Sequence, residues 1–463
     1  MVYDIVIGNI PVTYDTPPIA PAQLKSFVEH NGFKCKIVDW NRHIRSTLDE
    51  KHALFNSQTS NQIFMSGKLI DNNVRTIMME WIHELKGIES RFIGISCFGL
   101  EKNKMILFEL LKLIKEQIPE RPIVIGGTGI PLDGIGIEAK EMGLVDYYVI
   151  GEGEYPLLNI LKGTPDMPGI NGNPSERIKN LDILPPPDYS DLDIYKYPRE
   201  HLFIENSRGC PMNCAFCYKP LQRFIYRSGK VAANQILYLY TKHRKTSFRF
   251  SDSLINGNLK QLREFCNELI LLNLENIKLF SFFYVMKYTS MPAEYYALMK
   301  RAGFDILSIG VESGSEKVRR KMKKRFSNSD LNFAIKNCVK NKINLHFLFM
   351  VGYPPENEDD FKETLDFIKR YSYINKHIKV LVSMGNPYII SLQKGSMEDV
   401  YYNDPDIETD DCGNWVSGDN NYLVRADRWF RLREVVKEYG YHIFDRSINT
   451  IKTKVKEYEK CKS

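Results

Sequence analysis

Short β-branched runs alternate with amphipathic stretches along the first 165 residues. Pro21–Asn31 and Leu107–Ile118 repeat apolar positions with a helical period. The runs with the character of strands are residues 3–10, 33–40, 92–99, 121–127 and 145–154. Apolar strands that alternate with helices predict an α/β fold with a parallel, doubly wound sheet. Residues 1–165 are therefore expected to form an N-terminal Rossmann-like domain.

Small and polar residues follow the predicted strands of this domain. In doubly wound sheets, ligands bind outside the carboxyl ends of the strands. Glycine lets a backbone approach a large planar ligand closely, and a small hydroxyl can form a hydrogen bond with it. Each glycine could equally serve only a tight turn. The candidate ligand contacts at this edge are Asn9, Ser96, Gly126, Gly127, Thr128, Gly151 and Glu152.

A second alternating series begins after residues 166–199. That stretch is rich in Pro, Asn and Asp and predicts a linker or a wrapping loop. The next predicted strands are 201–210, 247–255, 277–285, 306–313, 344–354 and 378–387. Six βα units predict a partial (β/α)6 TIM-like barrel over residues 200–388, with its active site at the carboxyl ends of the strands. Residues 389–463 are expected to form a small, mainly helical C-terminal cap.

Three of the nine cysteines lie within eight residues, as Cys210-Pro-Met-Asn-Cys214-Ala-Phe-Cys217. A four-iron cluster normally takes four cysteine ligands, so three leave one iron open for another group. A structural zinc site would need paired Cys-x-x-Cys elements, and the sequence offers no second one. The trio therefore predicts an iron–sulfur site rather than a disulfide scaffold. Four isolated cysteines in apolar segments are expected to be buried free thiols, namely Cys35, Cys97, Cys266 and Cys338.

Composition narrows the class of protein. The 463 residues are 43% hydrophobic and 26% charged, as in globular proteins. The net charge is +6, and the basic residues are scattered except for the run Lys317–Arg325 and a lysine-rich tail, so nucleic acid is not an expected partner. The sequence contains neither the pattern of a signal peptide nor a run long enough to span a membrane. These features predict a cytoplasmic protein with no membrane partner.

The cysteine motif after a strand closely resembles that of the radical S-adenosylmethionine (SAM) superfamily. The resemblance extends to Ser207-Arg208-Gly209, Ser251-Asp252, Gly310-Val-Glu-Ser-Gly-Ser315 and Val351-Gly-Tyr-Pro354. It implies a 4Fe–4S cluster whose open iron binds the methionine amino and carboxylate groups of SAM. An electron from the cluster then breaks the sulfonium to give a deoxyadenosyl radical. An electron donor such as flavodoxin or ferredoxin is implied as a partner.

The same resemblance implies SAM contacts, residue by residue. Ser251 and Asp252 would lie near the methionine amino group, Glu312 and Ser313 near the ribose or methionine, Lys324 near the methionine carboxylate, and Val351 and Gly352 beside the adenine. Three of these residues have alternative interpretations. Glu312 could cap the following helix, Asp252 could form a turn, and Lys324 could belong to a solvated basic face.

The N-terminal half resembles the cobalamin-binding domain that precedes the barrel in many radical SAM proteins. The resemblance rests on Pro17-Pro18-Ile-Ala-Pro21, Gly126–Gly127 and Gly151-Glu-Gly-Glu154. It implies that the seven residues at the carboxyl edge contact cobalamin. The Asp-x-His-x-x-Gly string of cobalt-ligating domains does not occur in the sequence. His43 is interpreted as a surface or loop histidine, so any cobalt would lack a histidine ligand.

These resemblances leave several functions open, and no catalytic residue is assigned. The first is a cobalamin-dependent methyltransferase acting on an unactivated carbon, or on phosphorus, of a small molecule or peptide. The second is a radical enzyme catalysing cyclisation, ring contraction, rearrangement or sulfur insertion. A redox or corrinoid sensor and a tRNA methylthiotransferase are further alternatives, and the latter normally has three more cysteines in its N-terminal domain. Candidate liners of the substrate pocket are Tyr284, His346, Asn386, Tyr388 and Trp415.

Overall fold

In a computed structural model, the chain divides into two compact units. The first comprises residues 1–204 and 238–245, and the second comprises 205–237 and 246–463. The residues that the structure describes are 2–10, 16–41, 72–97, 104–128, 130, 134–217, 223–354, 356–384, 407–443 and 448–463. His43, Asn386 and Tyr388 lie outside them.

The first unit contains a parallel five-stranded sheet with the order β2-β1-β3-β4-β5. Its strands are β1 (Tyr3–Asn9), β2 (Cys35–Val38), β3 (Ser90–Ser96), β4 (Ile123–Gly126) and β5 (Tyr147–Tyr148). Its helices are α1 (Ile19–His30), α2 (Asn72–Lys86), α3 (Lys104–Gln117), α4 (Ile135–Glu141) and α5 (Glu154–Leu161). A further short strand, β6 (Leu202–Ile204), lies near the end of this unit. The prediction of an α/β fold with a parallel sheet is confirmed.

Helices cover both faces of this sheet because the strands are apolar on both faces. Ile5 and Ile7 of β1 pack in one core cluster, and Val6 between them packs in another. In the second cluster Trp40 and Trp81 stack with ring centroids 4.9 Å apart. The sequence pattern did not reveal α2, which carries Trp81.

Residues 166–199, predicted as a linker or wrapping loop, fall within the first unit. The Gln23 side chain of α1 donates to the Pro185 carbonyl at 2.9 Å, and the Asp188 amide donates to the Ala22 carbonyl at 2.9 Å. Asp191 forms an ion pair with Lys25 at 3.2 Å. The segment therefore wraps against α1.

The second unit contains parallel strands in the order β9-β10-β11-β12-β13-β16. These strands are β9 (Ser247–Phe250), β10 (Lys278–Phe283), β11 (Phe304–Glu312), β12 (Asn344–Val351), β13 (Ile378–Met384) and β16 (His442–Ile443). Two antiparallel pairs of short strands join β7 (Ser207–Arg208) to β8 (Ile225–Tyr226), and β14 (Glu408–Thr409) to β15 (Trp415–Val416). The predicted strand at 201–210 is broken into β6 and β7. β16 lies in the predicted helical cap and pairs with β13.

Helices follow most of these strands. They are α6 (Gly229–His243), α7 (Leu259–Leu271), α8 (Ala293–Arg301), α9 (Glu316–Lys321), α10 (Asn328–Lys340), α11 (Glu358–Arg370), α12 (Tyr422–Glu438) and α13 (Ile448–Lys462). Helix α11 begins with a capping box in which Asn357 and Asp360 bond reciprocally, which explains why it starts immediately after Asn357. Regular parallel pairing places the carboxyl ends of β9, β11 and β12 along one edge of the sheet.

The cysteines divide as the sequence suggested, with one addition. Cys35, Cys97, Cys266 and Cys338 are buried free thiols, which confirms that prediction. Cys412 and Cys461 form a disulfide between the β14–β15 hairpin and α13. No local pattern predicts this disulfide, because the two cysteines are 49 positions apart.

Within the parts of the chain that are described, none of the helices has both the length and the apolar character required to cross a lipid bilayer.

Candidate cofactor-binding site

The cysteine loop leaves β7 at Gly209, whose φ of 76° turns the chain in a region that favours glycine. Cys214 is buried, while Cys210 and Cys217 are partly exposed. The amide of Ala215 donates to the Met322 carbonyl at 3.0 Å, and the amide of Cys217 donates to the Cys214 carbonyl at 3.1 Å. These bonds hold the backbone of the loop around Cys214 and Cys217.

The donor set of this loop fits a cluster better than a single ion. Within the described residues, no three His, Cys, Asp or Glu side chains are grouped to hold one metal ion. In a four-iron cluster each cysteine binds a different iron, so three thiols on a loop suit that cluster and leave one iron open. Burial raises the pKa of the Cys214 thiol to about 11, against the opposing charge of Lys324. Metal binding would have to displace that proton.

A buried ion pair lies next to the cysteine loop. The Lys324 Nζ atom is 2.9 Å from Glu312 Oε1, and the two side chains are only 7% and 11% exposed. Nζ also donates to the Gly310 carbonyl at 2.6 Å and lies 5.8 Å from the centroid of the Phe216 ring. Burial alone would lower the pKa of Lys324, but the negative charge of Glu312 raises it above its usual value. The pair therefore holds one positive and one negative charge in an apolar setting.

This geometry decides between the alternatives for two residues. Lys324 is buried and does not belong to a solvated face. Glu312 ends β11 with a φ of 63°, and the N-cap of the following helix, α9, is Ser315. The Glu312 carboxylate therefore pairs with Lys324 instead of capping α9. A β-carbon at Gly310 would crowd Glu312 Oε1 and Lys324 Nζ, so a side chain there would push the charged ends of the pair aside.

Asp252 and Ser251 follow β9 but lie in opposite environments. Ser251 is exposed. Asp252 is 2% exposed, and its carboxylate accepts hydrogen bonds from the Asn206 amide at 2.9 Å and the Ser207 hydroxyl at 2.6 Å. Burial raises the pKa of Asp252 to about 7, although these bonds oppose the rise. Asp252 thus joins the end of β9 to Ser207 of β7. Ser207 lies three residues before the first cysteine, Cys210.

Ser313 and its neighbours form a tightly bonded turn after β11. The Ser313 hydroxyl accepts from the Ser315 amide at 3.1 Å, and Thr364 Oγ1 accepts from the Gly314 amide at 2.9 Å. Arg319, which is fully buried, donates to the Ser313 carbonyl at 2.6 Å and to the Gly314 carbonyl at 3.0 Å. The Ser313 hydroxyl therefore shapes this turn.

Val351 and Gly352 end β12 in a similarly bonded loop. The Gly352 amide donates to Glu356 Oε2 at 2.6 Å, and its carbonyl accepts from Asn420 at 3.1 Å. A β-carbon at Gly352 would lie 2.3 Å from Arg425 Cγ. Burial raises the pKa of Glu356 to about 7, against the charge of Arg428, which donates to the Glu356 backbone carbonyl at 2.9 Å.

Four residues around this loop were not predicted, namely Glu356, Asn420, Arg425 and Arg428. The acidic run at 356–360 resembles an ordinary helix N-terminus, which hides the buried member, Glu356. Among the candidate pocket liners, the Tyr284 hydroxyl accepts from the Arg325 amide at 2.9 Å, and Trp415 lies 3.7 Å beneath the Arg425 guanidinium. His346 is half-buried in β12.

The predicted contacts in the first unit lie along the carboxyl edge of its sheet. Asn9 is opposite Ser96 in the register of β1 and β3, and Ser96 is opposite Gly126 in that of β3 and β4. β2 lies on one side of β1, and β3 to β5 follow on the other side, so the strand order changes side between β1 and β3. Doubly wound sheets form a ligand crevice at this point. Asn9 is 7% exposed, and its Oδ1 has no hydrogen-bond partner within the described part of the chain.

The other predicted residues of this edge serve different roles. Gly127 has a φ of 118°, and a β-carbon there would lie 2.1 Å from the Cys97 carbonyl oxygen, so the backbone itself requires glycine. Gly151 has a φ of 93°. The Glu152 carboxylate pairs with Arg177 at 3.1 Å and accepts from the Ile178 amide at 2.7 Å. Thr128 is exposed. Among the described residues, the side chains of Asn9, Ser96 and Thr128 form no ion pair or loop-fixing bond like those of Glu152, and Gly126 has no positive φ.

The chain is similar to known proteins in family, sequence and fold. Residues 204–368 match the radical SAM superfamily. The chain is 25% identical over 291 residues to the anaerobic magnesium-protoporphyrin IX monomethyl ester cyclase of Synechocystis sp., a match covering 58% of this chain and 57% of the cyclase. A radical SAM domain implies SAM and an iron–sulfur cluster as cofactors.

Two solved structures share the fold. One is TsrM from Kitasatospora setae, a radical SAM methyltransferase with cobalamin and a 4Fe–4S cluster bound, with a TM-score of 0.62, 15% identity, and coverage of 83% of this chain and 75% of TsrM. The other is OxsB, a cobalamin-dependent SAM radical enzyme with aqua-cobalamin bound, with a TM-score of 0.61, 21% identity, and coverage of 80% and 52%. The chain spans little more than half the length of OxsB and of the cyclase. It carries a radical SAM domain within a fold shared with cobalamin-dependent radical SAM enzymes.

Proposed function

We propose that this chain, which carries a radical SAM domain, is a cobalamin-dependent enzyme that methylates an unactivated carbon, or phosphorus, of a small molecule or peptide. The observation that carries the proposal is the cysteine loop, held beside the buried Lys324–Glu312 pair in a chain that begins with a doubly wound unit. The supporting comparisons are the radical SAM match and the fold of TsrM and OxsB.

Cys210, Cys214 and Cys217 would hold the cluster. When bound, it supplies an electron that cleaves SAM reductively. The chain's own residues bind and orient SAM in this proposal. The methionine end of SAM is a zwitterion, and Lys324 with Glu312 offers the two complementary charges in a buried setting where they act strongly. Exposed Ser251 would contact the methionine amino group.

The remaining predicted SAM residues would act mainly by shaping the site. Asp252 bonds the segment that leads into the cysteine loop, Ser313 fixes the turn after Glu312, and Gly352 holds the end of β12 beside buried Val351. We place the adenine beside Val351 and Gly352. The Gly352 amide and carbonyl already have partners, so the contact there would be made by surface shape rather than by those two groups.

Cobalamin would bind at the carboxyl edge of the first unit. The support is the crevice between β1 and β3, where the buried Asn9 Oδ1 has no hydrogen-bond donor among the described residues. Such an atom is costly to bury unless a ligand or water satisfies it. Asn9, Ser96, Gly126 and Thr128 would contact the corrin or its tail, while Gly127, Gly151 and Glu152 would fix the loops that carry them.

The test is anaerobic reconstitution with iron and sulfide, followed by reduction with dithionite in the presence of SAM. The native protein should form deoxyadenosine, and Cys210→Ala, Cys214→Ala and Cys217→Ala should each lose both the cluster absorption and the product, because each thiolate binds its own iron. Cys266→Ala and Cys338→Ala, which alter buried free thiols, are the matched controls. Deoxyadenosine formation by a variant in which all three cysteines are replaced by alanine would refute the proposal.

A second candidate is a radical reaction without methyl transfer, which the similarity to a cyclase favours. SAM carrying a deuterated methyl group distinguishes the two. Transfer of the label to an accepted substrate supports methylation. A product that lacks the label but has a new ring or a rearranged skeleton supports the alternative.

A further inference from the structure

The segment that covers the cysteine loop presents a row of cations on its outer surface. Between Glu316 and Phe326, the side chains of Val318, Met322 and Phe326 are buried. The exposed residues of the same stretch are Lys317, Arg320, Lys321, Lys323 and Arg325. We call these five residues the basic row.

The inner face of this segment contacts the cysteine loop directly. The Met322 carbonyl accepts the Ala215 amide at 3.0 Å, and Ala215 adjoins Cys214. Phe216, which adjoins Cys217, packs against the cluster formed by Val318, Met322 and Tyr353. The basic row is therefore separated from the cysteine loop by the thickness of a single segment.

Three members of the basic row are not neutralised within the protein. Lys317 pairs with Asp360 at 2.9 Å, and Arg320 pairs with Glu316 at 2.6 Å. Lys321, Lys323 and Arg325 form no ion pair with any described residue. Three neighbouring cations without ion-pair partners do not stabilise the segment that carries them, because like charges repel. They are best explained by an acidic surface that approaches from outside.

We infer that the basic row is the docking surface for an acidic one-electron donor protein of the flavodoxin or ferredoxin type. This inference rests on the proposed function, because a cluster held by the three cysteines needs one electron for each SAM that it cleaves. The electron leaves the reduced donor protein, which is oxidised by one electron, and enters the enzyme across Met322 and the cysteine loop. Charge complementarity would orient a transient complex of small area, as is usual for electron-transfer partners.

The test variant carries Lys321→Glu, Lys323→Glu and Arg325→Glu. The matched control carries Lys452→Glu, Lys454→Glu and Lys456→Glu, which reverse three exposed charges on α13. Both variants change the net charge of the chain by the same amount, so they separate a local effect from a general one. None of the six side chains belongs to the proposed SAM or cluster site.

The first measurement is binding of purified flavodoxin to the reconstituted protein by biolayer interferometry. At about 50 mM salt the test variant should bind at least about tenfold more weakly than the native protein, and the difference should largely disappear near 500 mM salt, where screening is strong. The control should bind like the native protein. Equal loss in both variants, or equal binding by all three proteins, would overturn the inference. So would a basic row that captures single-stranded RNA but not flavodoxin.

The second measurement compares two reductants for the formation of deoxyadenosine. Dithionite is small and needs no docking surface. The test variant should keep its dithionite-driven rate and lose the flavodoxin-driven rate by about tenfold or more at low salt. A matching loss with dithionite would mean that the substitutions damage the site itself, and it would overturn the inference. If native protein forms no deoxyadenosine with dithionite, the proposed function fails, and the binding measurement still decides whether the surface docks flavodoxin.

Discussion

At the scale of single residues, the Lys324–Glu312 pair places two opposite charges in the buried part of the candidate SAM site. The two partners are not equivalent. Lys324 also donates to the Gly310 carbonyl and has the rings of Phe216, Tyr284 and Phe326 within 6 Å of its Nζ atom. Within the described residues, the ion pair of Glu312 is with Lys324 alone. Removal of the lysine therefore leaves a less well compensated charge than removal of the carboxylate.

We predict that Lys324→Met destabilises the protein by about 3–5 kcal/mol, the usual cost of breaking a buried pair from one side. Glu312→Gln should cost less, because Lys324 keeps the Gly310 carbonyl and its surrounding rings. The double variant should be more stable than Lys324→Met alone. Urea unfolding of the protein before iron is added measures all three. Equal costs for the two single variants would contradict the asymmetry of the pair.

The same residue has a separate effect on the cofactor. Glu312→Gln should weaken SAM binding in calorimetry while the iron content of the reconstituted protein stays unchanged, because Glu312 contacts Lys324 and not a cysteine. Cys266→Ala, at a buried thiol on α7, is a suitable control. Unaltered affinity would show that the pair is purely structural.

At the scale of elements, the ends of β9, β11 and β12 are tied down by buried polar groups. Asp252 links β9 to β7, Arg319 closes the turn after β11, and Glu356 holds the loop after β12. Each is at most 2% exposed. Buried, bonded polar groups of this kind fix one loop conformation, because any alternative leaves a polar atom without a partner.

Asp252 makes this coupling measurable through pH. Its pKa is about 7 in the folded protein and near 3.9 in an unfolded chain. Because the folded pKa is raised, its favourable contribution is complete below pH 3.9 and is lost as pH rises through about 7. Ionisation is disfavoured by burial first, and nearby Glu205 adds to that effect, although Glu205 is itself paired with Arg208 at 2.8 Å.

We predict that Asp252→Asn flattens the decline of thermal stability between about pH 4 and pH 7, since an amide cannot ionise. The amide can still accept from the Asn206 amide and donate to the Ser207 hydroxyl, so the fold should persist. The melting temperature of cluster-free protein measured across this range is the test. Glu356, whose pKa is also about 7, remains titratable in both proteins and contributes the same pH dependence of the melting temperature to each. Parallel curves for the two proteins would refute the assignment of this slope to Asp252.

At the scale of the whole molecule, the proposed chemistry needs two cofactor sites in one chain. The second unit contains the cysteine loop and the Lys324–Glu312 pair, and the first contains the crevice between β1 and β3. Cobalamin, when bound at this crevice, would supply the carbon–cobalt chemistry of methyl transfer. The protein then needs to bind and orient the cofactors and to exclude water.

We predict that native protein incubated with hydroxocobalamin retains it through gel filtration and shows a base-off spectrum. Asn9→Leu should weaken retention, because it removes the buried amide at the crevice between β1 and β3. His43→Ala should change neither retention nor spectrum. Failure to retain any corrin would favour the cobalamin-independent radical reaction, and a spectrum that becomes base-off only in His43→Ala would show that His43 ligates cobalt.

The sequence by itself determined the features that depend on short spacing. Cys210, Cys214 and Cys217 fall on one loop because only three and two residues separate them. The alternation of apolar runs with helices was enough to predict parallel α/β sheets, since burial on both faces leaves a recognisable pattern. The ends of the predicted strands identified Asn9 and Ser96 as edge residues, whereas Glu312 and Val351 were identified by their resemblance to radical SAM motifs.

Only the tertiary structure decided which distant residues form hydrogen bonds with the residues at the ends of the strands. Asp252 meets Ser207 across 45 residues, and Gly352 meets Asn420 across 68. Lys324 is buried within a run of cations because its segment turns one side toward Phe216 and the other toward solvent. Spacing along the chain fixes local geometry, but strand order and packing set the partners of distant side chains. A buried Lys324 and an exposed Lys323 are therefore indistinguishable until the chain is folded.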